Sequence, residues 1–103
     1  MTIYGLYLQE GTPLALFDGT EVSPVVEFED GCVPISESDI GSIREANPEA
    51  NIFWSVYLHH DPMRPENEGF GGVECIADLP TKDAAMAYAA GVDAAIKAVR
   101  AAE

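Results

Sequence analysis

Over the first eighty residues apolar positions recur every second residue or in short β-branched runs, and over the last twenty-three they recur at steps of three and four. The first pattern predicts strands at IYGLYLQ (3–9), PLALFD (13–18), PVVEFED (24–30), NIFWSVYLHH (51–60) and GGVECIAD (71–78). Glu10-Gly11, Asp18-Gly19 and Asp30-Gly31 are turn signals between them. No helix-length segment separates the first three strands, so an antiparallel meander joined by hairpins fits their order. The fourth strand alternates Ile52, Trp54, Val56 and Leu58 with Phe53, Ser55, Tyr57 and His59. Large side chains on both faces place it in the middle of the sheet. The third alternates Val26 and Phe28 with Glu27 and Glu29, one side for the core and one acidic side. Between Ser36 and Asn47, SESDIGSIREAN predicts a short helix, with a serine cap, an Ile40/Ile43 apolar pair and a stop at Asn47-Pro48.

The C-terminal segment TKDAAMAYAAGVDAAIKAVRAAE predicts the one long helix. Thr81 is a suitable N-cap, Asp83 sits in the first turn, and Lys97 and Arg100 sit near the end, where the helix dipole favours cations. Asp93 and Lys97 have the spacing of a stabilising i,i+4 pair. Ala85, Tyr88, Ala89, Val92, Ile96 and Val99 form an apolar stripe to lay on a sheet. Gly91 inside the helix costs about 1 kcal/mol relative to alanine, and close approach to a strand is the expected compensation. The fold class is therefore α+β: four to five antiparallel strands backed by a C-terminal helix, with one short helix before the fourth strand.

Length and composition narrow the rest. A chain of 103 residues with 48% hydrophobic residues can build one core, so residues 1–103 read as a single domain. Cys32 and Cys75 form neither a CxxC pair nor a metal-ligand spacing and read as free thiols of a reducing cytoplasm. The N-terminus lacks the basic and apolar regions of a signal peptide, and no apolar run approaches the roughly 20 residues of a membrane span, which predicts a soluble protein.

Charge is where the chain departs furthest from an ordinary domain. Eighteen acidic against five basic residues give a formal net charge of −13, where solubility asks only for a magnitude of about 2 to 8. Residues 1–80 carry fifteen acids and only Arg44 and Arg64, whereas residues 81–103 balance three cations against three acids. A direct nucleic-acid binder is excluded, because phosphate neutralisation needs Lys and Arg. A surface of this kind can instead occupy the basic groove of another protein, steered there by long-range attraction.

Candidate contact residues follow from where the acids cluster. Glu27 and Glu29 would stand about 6.8 Å apart on one side of a strand. Asp30, Glu37 and Asp39, with Asp18 and Glu21 from the preceding turn, would extend them into a ridge. The long connection DPMRPENEGFGG (61–72) adds Asp61, Glu66 and Glu68, with Met63 and Phe70 as apolar anchors and Arg64 as its one cation. For any single pair of these acids, a solvated strand face that discourages edge-to-edge aggregation is the ordinary explanation. Only their total points to a partner.

Other chemistry finds less support. His59-His60-Asp61 suggests a metal, but adjacent strand residues point to opposite faces, so no metal site or other cofactor is expected. Cys32 and Cys75 lack a Cys-His-Asn or GxSxG context, and most of the acids fall in polar turns that would not raise a carboxyl pKa, so no catalytic residue is assigned and an enzyme is not expected. GFGG (69–72) lacks the lysine and following helix of a phosphate loop.

In length, one-domain organisation, acidity concentrated in residues 10–78 and lack of a catalytic motif, the chain resembles the small acidic inhibitors of phages and other mobile elements. These include anti-CRISPR and anti-restriction proteins that act as DNA mimics. The class has no common motif to carry over residue by residue. The resemblance implies an inhibitor that blocks target-DNA binding by a CRISPR surveillance complex, or blocks a restriction or recombination enzyme, with a Lys/Arg cluster of that partner as receptor. Two alternatives share the composition. One is an immunity-type protein that plugs a nuclease cleft with an aromatic and acidic hot spot. The other is a halophilic housekeeping domain, which would carry acids over its whole exposed surface.

Overall fold

The computed structural model describes residues 4–69 and 71–103. Five strands, β1 (Gly5–Leu6), β2 (Phe17–Phe28), β3 (Gly31–Pro34), β4 (Asn51–His60) and β5 (Val73–Leu79), form one sheet in the order β1-β5-β4-β2-β3. Every neighbouring pair is antiparallel. A short helix α1 (Ile40–Ala46) precedes β4, and the long helix α2 (Lys82–Ala101) packs on one face of the sheet. This is the expected α+β fold. No helix among the described residues is long and apolar enough to cross a membrane.

The expected meander is not the topology. β1 crosses the sheet to pair with β5, and β4 returns on the far side of β2 from β3. The hairpin expected at Asp18-Gly19 is absent because residues 17–28 run as one strand of 12 residues. Leu14–Leu16 forms a 3-10 turn instead of a strand. The Asp18-Gly19 pair sits where the β2/β4 register shifts, so the small flexible residue serves a bulge rather than a turn. Pro24 is tolerated within β2 because its carbonyl points away from β4 and accepts from Ile35 N–H at 3.1 Å. Its ring nitrogen faces the same outer side, so no bond to β4 is lost. The Asp30-Gly31 signal does mark a hairpin, with Phe28 paired to Gly31 across Glu29 and Asp30.

β4 lies in the middle of the sheet, as its two apolar faces require. Trp54, Val56 and Leu58 face α2 and meet Ala85, Ala89, Val92 and Ile96, with Phe17, Ile76 and Ala77 completing the core. Ala85 and Ala89 are small enough to let the helix axis approach the sheet closely, and Thr81 caps α2 by accepting from Ala84 N–H at 3.1 Å. On the opposite face no helix among the described residues covers the sheet. Phe53 and Val25 are nevertheless buried there, because Phe53 pairs with Val25 and the Tyr4 ring packs edge-on against it, 6.2 Å between centroids. Val25 and Val26 are therefore both core, and Phe28, expected inside, is exposed where β2 outruns the covered part of the sheet.

Three ion pairs fasten the C-terminal helix and the segment that follows it. Lys82 donates to both carboxylate oxygens of Glu37 at 2.8 and 2.9 Å and lies 5.7 Å from the Trp54 ring centroid. Arg100 pairs with Asp61, and Arg64 pairs with Glu103 through both guanidinium NH2 groups. Asp93 accepts from Thr20 Oγ1 at 2.9 Å, and the expected Asp93/Lys97 pair does not form. Gly91 is exposed rather than pressed on a strand, and a Cβ there would meet nothing within 4 Å.

Truncating Leu58, which is wholly buried, to alanine should cost about 2–5 kcal/mol of unfolding free energy. Urea titration should show this as a lower midpoint with an unchanged slope. Arg100 and Arg64 hold the Asp61 and Glu103 carboxyls below the usual carboxylate range, in each case chiefly by hydrogen bonding. A folded pKa below the unfolded one adds stability above the unfolded value of about 4, and that stability is lost as pH falls through the folded value. Asp61→Asn should therefore be less stable than the parent at neutral pH, and the gap between their denaturation midpoints should close as the solution is acidified below about pH 4.

Candidate acidic interface

The acidic row is built by one long strand rather than by hairpins. Residues directly paired in an antiparallel ladder share a face. Glu21 pairs with Tyr57 and Glu27 with Asn51, which puts both acids on the face that α2 leaves uncovered. Asp18 joins them, since His59 Nδ1, on the same face, lies 2.9 Å from Asp18 Oδ1. Glu29 and Asp30 continue the row past the end of β2, in the exposed turn to β3. Glu29 thus stands in a turn instead of two residues along the strand from Glu27, because the strand ends at Phe28. At about 3.4 Å per residue the acids of β2, from Asp18 to Glu27, span about 31 Å, well over half of the molecule's longest extent of 49 Å.

At the hairpin end Glu27 and Glu29 line a surface cleft of about 450 Å³ with Glu49, Asn51, Cys32 and the exposed Phe28. Glu49 was not among the expected contacts. It precedes β4 by two residues, and only the register that pairs Asn51 with Glu27 brings it to the cleft. Phe28 was expected in the core, so its place as an exposed aromatic among three carboxylates could not be read from alternation.

The remaining candidates separate. Glu37 and Asp39 lie in the 3-10 turn Glu37–Asp39 that leads from β3 towards α1, and the Glu37 charge is matched by Lys82. Glu66 and Glu68 are exposed on the connection beyond β4, at the opposite end of the sheet from the hairpin. Asp61 departs from the expectation of a surface contact. It is only 8% exposed, bound to Arg100, and accepts from Met63 N–H at 2.9 Å. Its role is to hold the connection in place, together with Asn67, whose side-chain amide donates to the carbonyls of Leu16 at 2.7 Å and Asp61 at 2.9 Å. Residues 61–68 are therefore pinned to the body. Met63 is exposed and Arg64 is taken by Glu103, while Phe70 lies outside the described residues.

Counter-charge is scarce across this surface. Glu37, Asp61 and Glu103 alone among the eighteen carboxylates have a Lys or Arg partner, which leaves fifteen without one among the described residues. The pairs consume Lys82, Arg100 and Arg64, so of five cations only Arg44 and Lys97 are unpaired there. Among the described residues, the row's one contact with a basic side chain is that of Asp18 with His59.

Other reactive groups are dispersed. His60 turns to the opposite face from His59 and packs on Phe17, 4.8 Å between ring centroids. Burial pushes the Cys75 thiol up, with the Asp78 charge adding to it, which disfavours the thiolate a nucleophile needs. No three His, Cys, Asp or Glu side chains among the described residues are placed to hold a metal ion. What the arrangement can do is present an extended line of carboxylates beside an exposed aromatic ring. Comparison with protein-family models, curated proteins and solved structures finds no match to the chain.

Proposed function

We propose that the protein is a binding inhibitor that lays the β2 acidic row into the basic nucleic-acid groove of a partner protein. One observation carries the proposal: Asp18, Glu21, Glu27, Glu29 and Asp30 run along one strand and its turn, and among the described residues no Lys or Arg pairs with any of them. Such a row is costly to the isolated molecule through self-repulsion, and an external positive surface relieves that cost. The acids on β2 cover about 31 Å, and the turn with Glu29 and Asp30 extends the row to near one helical turn of duplex DNA, about 34–36 Å. A groove shaped for duplex DNA could therefore meet it over its full length. The narrower reading, from the resemblance to small acidic inhibitors of mobile elements, is an anti-CRISPR protein that blocks target-DNA binding by a surveillance complex. Its action is occupancy, without catalysis or cofactor.

The cleft around Phe28 favours a second reading, an immunity-type inhibitor of a nuclease, because an exposed aromatic ringed by carboxylates has the character of a compact hot spot. Environmental acidity is disfavoured by the outer side of α2. Ala87, Ala90, Gly91, Ala94 and Ala98 are exposed there, where a halophilic surface would carry acids.

The test is capture from a bacterial lysate rich in nucleic-acid-processing complexes, at low and high salt, with duplex DNA as competitor. Capture of a DNA-binding complex that both salt and DNA release is the expected outcome. Reversal of Glu27, Glu29 and Asp30 together to lysine should weaken that capture by more than about tenfold, equivalent to ~1.4 kcal/mol, with the circular dichroism spectrum unchanged. Undiminished capture by the folded triple variant would remove this end of β2 from the interface.

A further inference from the structure

The side of α2 turned away from the sheet carries the least charged surface of an otherwise acidic molecule. Ala84, Ala87, Gly91, Ala94, Ala98 and Ala101 follow one another at alternating steps of three and four, opposite the buried Ala85, Ala89, Val92 and Ile96. All but the half-buried Ala84 are exposed. Beside this line an apolar groove of about 340 Å³ opens between the helix and the N-terminal segment, lined by Leu8, Leu14, Tyr88 and Gly91 among others and by no charged residue. Gly91 faces open space, so nothing within the molecule offsets its cost to the helix.

We propose that this face and its groove form a homodimer interface, α2 packing antiparallel on α2 of a second copy. The alternating steps are those of a coiled-coil seam, and their sequence 3-4-3-4-3 reads the same in both directions. An antiparallel copy thus sets every small residue opposite another. Charge favours the same partner and direction. Asp83 and Lys97 flank the line near its two ends, neither with an ion-pair partner among the described residues. Antiparallel packing brings Asp83 of each copy to the end where the other carries Lys97, whereas parallel packing would set like on like. Two copies of net charge −13 meet there with the fewest carboxylates between them, and the acidic rows, on the opposite face of each sheet, point outward. The dimer rests on the helix face alone and stands whether or not the row binds a basic groove.

Sedimentation velocity of the full chain over a low-to-high micromolar range, at low and high salt, tests this directly. A dimer that strengthens as salt rises is expected, since salt screens the repulsion between the copies. Binding of a basic partner would weaken over the same range, so the two associations can fail separately. Ala94→Glu should weaken self-association by at least about tenfold, and Ala98→Gln should weaken it through bulk without charge. Val33→Glu, which adds the same charge at an exposed position of the edge strand β3, away from α2, should leave it intact. A chain that stays monomeric at every concentration and salt, or a dimer that persists in both folded seam variants, would overturn the proposal.

Discussion

The packing of α2 on the even-numbered side chains of β4 divides the molecule into two surfaces with different chemistry. Trp54, Val56 and Leu58 need an apolar cover, and a single helix of 20 residues supplies it. Because the cover is one helix and not a layer, it has to be held in place by more than its stripe. Thr81 fixes its start, Lys82 ties it to Glu37 and to the Trp54 ring, and Arg100 ties its last turn to the buried Asp61. Burial makes the last of these the most consequential, since a buried carboxylate left without its guanidinium costs more than an exposed pair gains.

This fastening also shapes the electrostatics. A chain with five cations that commits three of them to intramolecular pairs has little left to balance its surface. The open face of the sheet is therefore left with carboxylates that have no Lys or Arg partner among the described residues, Asp18 alone meeting His59. Stability and surface charge are thus not independent. The cations that could have neutralised the row hold the helix against the sheet, and the net charge of the exposed face is more negative than composition alone conveys.

How much of this was legible in the sequence depended on whether local pattern or tertiary pairing decided each feature. The α2 boundaries, its Thr81 cap, the central position of β4 and the Asp30-Gly31 hairpin follow from periodicity and turn chemistry, which act within a few residues. The single long β2 was not legible, because Asp18-Gly19 has the same letters as a turn and only the β4 register makes it a bulge. Burial of Asp61 was hidden for a related reason. Its partner Arg100 lies 39 positions away, and an acid in a proline-rich connection has the local signature of solvent exposure. Glu49 and Phe28 became part of the cleft through strand register and through where the cover of the sheet stops, neither of which alternation encodes.

The unpaired Lys97 and the open position at Gly91 both lie on the outer side of α2. Asp93 turns to Thr20 on β2 instead of to Lys97 one helical turn away, which strengthens the contact between helix and sheet and leaves the outer side without its expected ion pair. Gly91 lies two residues before Asp93, on that outer side, where no strand approaches to compensate for the missing side chain. The Asp93 contact favours the inner face of α2, and the glycine weakens the outer one. A helix facing only water would gain from the opposite choices, alanine at 91 and a charged, self-paired surface. An outer face so poor in charge, on a molecule so rich in it, has the composition of a surface meant to meet another helix rather than solvent.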